Sequence, residues 1–162
     1  MKDLSISLAN SSDEDLFRDL LPLFDQMYGE FKAMGIMLNP AADAAQRWTS
    51  SIRKTLGRFG TLALARKDDL LVGFAHAALS MPPDYLMAGK TGVITHVFVM
   101  PELRGEGIAG LLVTRLESWL REQNVRSVEL QVLKGNSNGI TFWEKSGYSA
   151  ELIQYRKFFR EE

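Results

Sequence analysis

The sequence contains no cysteine. Disulfides, thiolate metal sites, iron–sulfur clusters and cysteine nucleophiles are therefore excluded. Histidine is scarce too: only His76 and His96 occur in 162 residues. Two are too few for a His-based metal site, so no metal is expected. Charge of one sign is missing, with 19 Lys and Arg against 20 Asp and Glu, a net charge of −1. No bulk basic field exists to hold a nucleic-acid backbone or an anionic membrane. No apolar run approaches the ~20 residues of a membrane span. The opening stretch MKDLSISLANSSDEDL lacks an apolar core of signal-peptide length. A cytoplasmic protein is the expectation.

What is present is ordinary globular composition, 46% hydrophobic and 24% charged. The length suits a single domain, 1–162, able to bury its own core. Leu4, Ile6 and Leu8 alternate with serines as a short half-buried strand. Ser11 with Glu14, or Ser12 with Asp15, has capping-box spacing. Leu16 to Phe31 then repeat at helical spacing, with Pro22 predicting a kink or two consecutive helices. A second helix is expected from about Ala41 to Leu56. Thr61–Ala65 and Leu70–Leu79 read as a hairpin. Gly92–Val99 and Ser127–Leu133 read as strands, separated by a helix from about Ile108. Asn136 to Lys145 suits a short helix, and Glu151–Phe159 a last strand. That element order predicts one mixed α/β layer structure, α+β in class.

The most informative stretch is Arg104-Gly105-Glu106-Gly107-Ile108-Ala109-Gly110, between a strand and a helix. Glycine there lets backbone N–H groups turn into one concavity. The helix start adds unsatisfied donors and a positive dipole end, which suits a phosphate or pyrophosphate. Gly105, Gly107 and Gly110 also satisfy the dinucleotide pattern G-x-G-x-x-G. The context argues against a dinucleotide fold. Residues 100–104 separate the loop from its strand, and Glu129 sits mid-strand instead of ending one.

VFVMPELRGEGIAGLL resembles the signature of the GNAT superfamily of N-acetyltransferases: a strand ending in Val, a proline, then R/Q-x-x-G-x-G/A. Arg104, Gly107 and Ala109 fill the last three places. NSNGITFWEKSGY, Asn136 to Tyr148, is similar to a second family stretch. The resemblance implies a mixed twisted sheet of about six to seven strands, flanked by helices, whose fourth and fifth strands splay apart. It implies acetyl-CoA in that wedge. The backbone of Val97, Phe98 and Val99 would meet the pantetheine arm. The amides of Gly105, Glu106, Gly107, Ile108, Ala109 and Gly110 would hold the pyrophosphate. Arg104 would support the loop or a phosphate. Asn136 would contact the pantetheine or the departing end of CoA, with Trp143 on the same short helix also on the cofactor side. A homodimer stays open, since dimers are common among similar proteins.

The expected reaction is transfer of acetyl to a primary amine, directly, in a ternary complex. A lysine-like amine is ~3.4 pH units from neutral at pH 7, so deprotonation costs ~4.6 kcal/mol and a general base helps. Many family members protonate the leaving thiolate with a Tyr; the matching position here is Trp143, and an indole is no useful acid. Tyr148 is the first substitute, against a core-packing role. Tyr28 and Tyr85 are others, and departure without an acid is a further alternative. For the base, His96 lies on the cofactor strand and titrates in the right range. Glu129 is an alternative, and so is His76. Asp25, Tyr28, Glu30, Met81, Asp84 and Tyr85 are candidates for the acceptor pocket, a mix that suits a small cationic amine. A non-catalytic acyl-CoA-binding module is the rival reading, motivated by Trp143 and Gln131.

Overall fold

The computed structural model describes residues 4–87 and 89–159. Strand β1 (Leu4–Leu8) leads into helices α1 (Glu14–Ala33) and α2 (Ala44–Arg53). Strands β2 (Gly60–Lys67), β3 (Leu70–Ser80) and β4 (Thr91–Val99) follow. Helix α3 (Ile108–Glu122), strand β5 (Ser127–Leu130) and helix α4 (Ser137–Lys145) complete the elements. The described strands form one five-stranded sheet in the order β1-β2-β3-β4-β5. The first four are antiparallel neighbours, and β5 joins β4 in parallel. Among the described residues, no helix is long and apolar enough to cross a membrane.

Each face of the sheet carries a core. On one side α1 and α2 bury Leu16, Leu20, Phe24, Met27 and Ile52 against Phe74 and Phe98. On the other, Ile108, Leu112, Leu116 and Leu120 of α3 pack on Ala63, Ala75, Val99 and Ile94. The small side chains there let α3 lie close to the strands.

Several local expectations are corrected. Asp13 caps α1, accepting from the Leu16 amide at 3.0 Å, where Ser11 or Ser12 was expected. Helix α1 runs unbroken through Pro22. Pro22 and Arg18, whose carbonyl loses its donor, both face solvent, so water can replace the missing bond. Strand β5 ends at Leu130, three residues before the expected Leu133. Residues 151–159 are exposed and form no strand. Their apolar side chains suit a strand, but among the described residues no neighbouring backbone takes up their hydrogen bonds. The sheet therefore has five strands among the described residues, not six to seven.

One feature of the sheet positions everything that follows. Pairing between β4 and β5 runs from Thr91↔Ser127 to Ile94↔Leu130 and stops. Strand β4 continues to Val99, still paired with β3. From Thr95 to Val99, its β5-facing side has no strand partner. The two strands thus separate there, as the resemblance implied.

Candidate active site

The glycine loop lies at the open end of β4. Pro101–Leu103 form a single turn, and Gly105 and Gly107 take the left-handed region at φ of 88° and 82°. Only glycine enters that region without strain. Gly107 is also the N-cap of α3, with no side chain capping it. Among the described residues, the N–H groups of residues 105–110 have no recorded acceptor. A Cβ built at Gly105, Gly107 or Gly110 would meet nothing within 4 Å. Six consecutive free donors, an open approach and a helix N-terminus make a cradle for an anionic group. The diphosphate of acetyl-CoA fits it, and the unpaired length of β4 fits an extended arm with amide groups.

Arg104 and Glu30 are committed to each other. The guanidinium reaches both Glu30 oxygens at 2.9 Å, donates to the Val99 carbonyl at 2.9 Å and lies over the Phe98 ring. Arg104 thus fastens the loop to β4 and α1, and Glu30 is not a free acceptor-binding carboxylate. A basic group absent from the sequence reading stands near the loop: Lys67 Nζ meets Glu106 at 3.1 Å. Its position at the end of β2 gave no short-range signal.

Asn136 caps α4, its Oδ1 accepting from the Gly139 amide at 2.9 Å. Its side-chain NH2 has no recorded partner and is available to a ligand carbonyl. Trp143 is half-buried in a T-shaped contact with Tyr148, ring centroids 5.0 Å apart. The Tyr148 hydroxyl, the first substitute for the acid, is held by another side chain. It donates to Glu117 on α3 at 2.8 Å, and burial followed by that bond raises its pKa well above the usual phenol range. Tyr148 lines a cleft of about 510 Å³ with Arg121, Ser127 and Gly147, on the α3 side of β5. No β4 residue lines that cleft.

The α1–α2 side of β4 brings other candidates together. His96 sits under Phe24, Tyr28 and Trp48, with ring centroids at 5.9, 6.1 and 5.1 Å. Phe24 stacks on Trp48 at 4.9 Å and packs on Tyr28 at 4.6 Å. The Tyr28 hydroxyl lies 3.4 Å from His96 Nε2. His76, opposite His96 on β3, is buried beneath Trp48. Glu129 pairs across from Val93 and is exposed, with no recorded partner. It points away from the α3 side, on which its neighbours Val128 and Leu130 pack. It therefore shares the His96 face but belongs to the paired end of β4.

Asp25 and Tyr28 line a cleft of about 250 Å³ with Lys32, Asn39 and Pro40. Tyr28 thus stands between this cleft and His96. Asp84 and Tyr85 are elsewhere: they form an exposed turn between β3 and β4, beyond the paired end of β4. Met81 is equally exposed. Residues missed by the sequence reading are Trp48, Thr95 and Lys67. Helical spacing marked Trp48 as core only.

Burial pushes both imidazoles down to about 4, with repulsion from His76 adding to the shift at His96. Both rings are thus neutral at pH 7. In the unfolded chain they would take up protons near pH 6.5, earlier than in the folded one. Their neutral burial stabilises the fold fully above about pH 6.5, and the stability is lost as pH falls toward 4. We expect unfolding in urea at pH 4.5 to show a loss of about 2 kcal/mol from His76 relative to pH 7. His76→Leu should flatten the pH dependence by that amount. An equal slope in wild type and variant would contradict the assignment.

Known proteins place this geometry. The Acetyltransferase (GNAT) family matches residues 24–148. No curated protein matches the sequence. Among solved structures, the aminoglycoside N-acetyltransferase AAC(6')-Iy in complex with CoA is similar, with TM-score 0.77 and 18% identity over 97% of this chain and 96% of that one. The same enzyme is also solved with a bisubstrate analog, CoA-S-monomethyl-acetylneamine. Ribosomal-protein-alanine N-acetyltransferase from Brucella melitensis aligns with TM-score 0.71 and 21% identity, over 97% and 100% of the two chains. Glucosamine-6-phosphate N-acetyltransferase from Arabidopsis thaliana aligns with TM-score 0.69 and 19% identity, over 98% and 100%. With the family match spanning most of its length, the chain belongs to the Acetyltransferase (GNAT) family and uses acetyl-CoA as acyl donor.

Proposed function

We propose that this protein acetylates a primary amine of a small molecule by direct transfer in a ternary complex, with His96 as general base. The observation that carries the reading is the meeting of the glycine cradle, the unpaired end of β4 and a neutral imidazole on one strand–loop unit. When bound, acetyl-CoA supplies the acetyl group as a thioester and departs as a thiol. The amides of residues 105–110 would hold its diphosphate, with Asn136 and the backbone of Val97 to Val99 along the arm. Lys67 would add a cation beside the phosphates.

His96 Nε2 would take the proton that the attacking nitrogen loses. It is neutral at pH 7 and half-buried, so it is ready as a base without first shedding a proton. The thiolate needs one proton in return, and the proton on His96 can meet that need directly or through water. This leaves Trp143 and Tyr148 out of the acid role. Glu129, on the same face, remains the alternative base, acting through water.

The acceptor would enter past Tyr28 from the cleft lined by Asp25. Aromatic faces and a carboxylate favour a cationic amine. The structural neighbours named for aminoglycosides and glucosamine-6-phosphate support a small amino compound. We also infer a homodimer. Leu152, Ile153, Tyr155, Phe158 and Phe159 are 57–89% exposed within eight residues of chain, and a second copy covering them would bury them.

Four outcomes are expected. Acetyl-CoA at ~100 times its dissociation constant adds ~2.7 kcal/mol and raises the unfolding midpoint by roughly 5–11 °C, while NAD does not. Gly107→Glu abolishes that shift, because its carboxylate faces the diphosphate. His96→Gln keeps the shift and lowers kcat for amine acetylation by about 10²–10⁴-fold. A shift with NAD alone, or an unimpaired His96→Gln enzyme, would overturn the corresponding part of the reading. Light scattering should return twice the chain mass at micromolar concentration; a monomer would remove the dimer.

A further inference from the structure

The β3–β4 ladder slips by one residue beside the site. His76 pairs with His96 and Ala77 with Ile94, so Thr95 is the extra residue of a bulge. Bulges re-aim side chains. Here the Thr95 hydroxyl is placed between the two imidazoles, 2.7 Å from His76 Nδ1 and 2.8 Å from His96 Nδ1. It also lies 3.5 Å from the His76 carbonyl. Tyr28 is the recorded partner of His96 Nε2, at 3.4 Å. His76 Nε2 is buried with no partner among the described residues. No carboxylate bonds to either ring among the described residues.

A threonine hydroxyl has one hydrogen to give and two lone pairs. Three placements of that hydrogen on protein atoms are available, and on this exposed residue a turn toward solvent has the same consequence for the rings as the third. Given to His76 Nδ1, it forces the ring proton onto His76 Nε2, a buried N–H with no acceptor. Given to His96 Nδ1, it puts a proton on His96 Nε2 and leaves the Tyr28 hydrogen without a recorded acceptor. Given to the His76 carbonyl, it lets both Nδ1–H groups donate to the Thr95 oxygen and Tyr28 donate to His96 Nε2. Only one acceptor lone pair, on His76 Nε2, is then unpartnered. Orphaned acceptors are tolerated more often than orphaned N–H groups.

We propose that Thr95 is a positioning residue that holds His96 in the Nδ1–H tautomer, leaving Nε2 as a bare proton acceptor that faces Tyr28. His76 shares the same hydroxyl and keeps it turned away from donating to His96. Its role in the reaction rests on the reading of His96 as base; the tautomer itself does not. In the step, Nε2 gains one proton from the attacking nitrogen and later releases it, while the Nδ1–H bond to Thr95 stays intact. No net charge remains on the ring afterwards.

The test joins a spectroscopic and a kinetic readout. Nitrogen-15 spectra of the free protein at pH 7 should show His96 and His76 both protonated at Nδ1. Thr95→Val should move the His96 proton to Nε2 and lower kcat by about 10–100-fold, with KM for acetyl-CoA unchanged. Thr95→Ser should restore both the tautomer and the rate. A His96 proton on Nε2 in the wild-type protein overturns the proposal. So does a Thr95→Val enzyme with unchanged rate and spectrum, or a rate loss that Thr95→Ser shares. Full activity in His96→Gln would instead sink the general-base reading, while the spectra still decide the tautomer.

Discussion

Strand β4 keeps one hydrogen-bonded neighbour along its whole length and loses the other half-way. The site depends on this asymmetry. Pairing with β3 holds residues 96–99 in extended form, so that stretch stays ordered without β5. A buried backbone without partners would be costly, and an open wedge filled by a ligand with its own amide groups meets that need. The same strand carries the glycine loop at its far end and His96 at the point of divergence. Cofactor cradle and candidate base are thus set by one element. Arg104 stiffens this arrangement by tying the loop to the Val99 carbonyl and to Glu30 on α1. An exposed pair of this kind adds at most about 1 kcal/mol to stability, so its contribution is to geometry.

The second constraint is desolvation. Phe24, Tyr28 and Trp48 partly cover His96, and Trp48 lies over the buried His76, and this desolvation keeps both histidines neutral. The cover has a cost: two imidazoles are buried where protonation would destabilise the fold. On the reading of His96 as base it also has a chemical use, since a neutral imidazole on β4 needs no prior deprotonation. The bulge at Thr95 gives these rings a shared hydrogen-bond partner that a regular ladder would not supply.

Much of this was legible where the chemistry is local. The spacing of Gly105, Gly107 and Gly110 after a strand reports a backbone requirement, and the structure meets it with positive φ at the first two. The hairpin of β2 and β3 and helix α3 follow from periodicity, whereas the role of β4 was implied by the family resemblance. What stayed hidden depends on distant partners. Arg104 and Glu30 are 74 positions apart. The Thr95 bulge is a register event between two strands, and nothing in THVFV announces it. Residues 151–159 are rich in strand-forming side chains but pair with no strand among the described residues, so composition alone misled. Tyr148 looked like a spare acid until Glu117 was seen to hold its hydroxyl.

We propose that the free amides of residues 105–110 and the unpaired half of β4 together form the acetyl-CoA site. Backbone amide shifts on titration with acetyl-CoA test it most directly. The account predicts large shifts and slowed hydrogen exchange at residues 105–110 and 97–99, with little change in β1 and β2. Binding that leaves those amides unmoved, or perturbs the cleft beside Tyr148 instead, would contradict it.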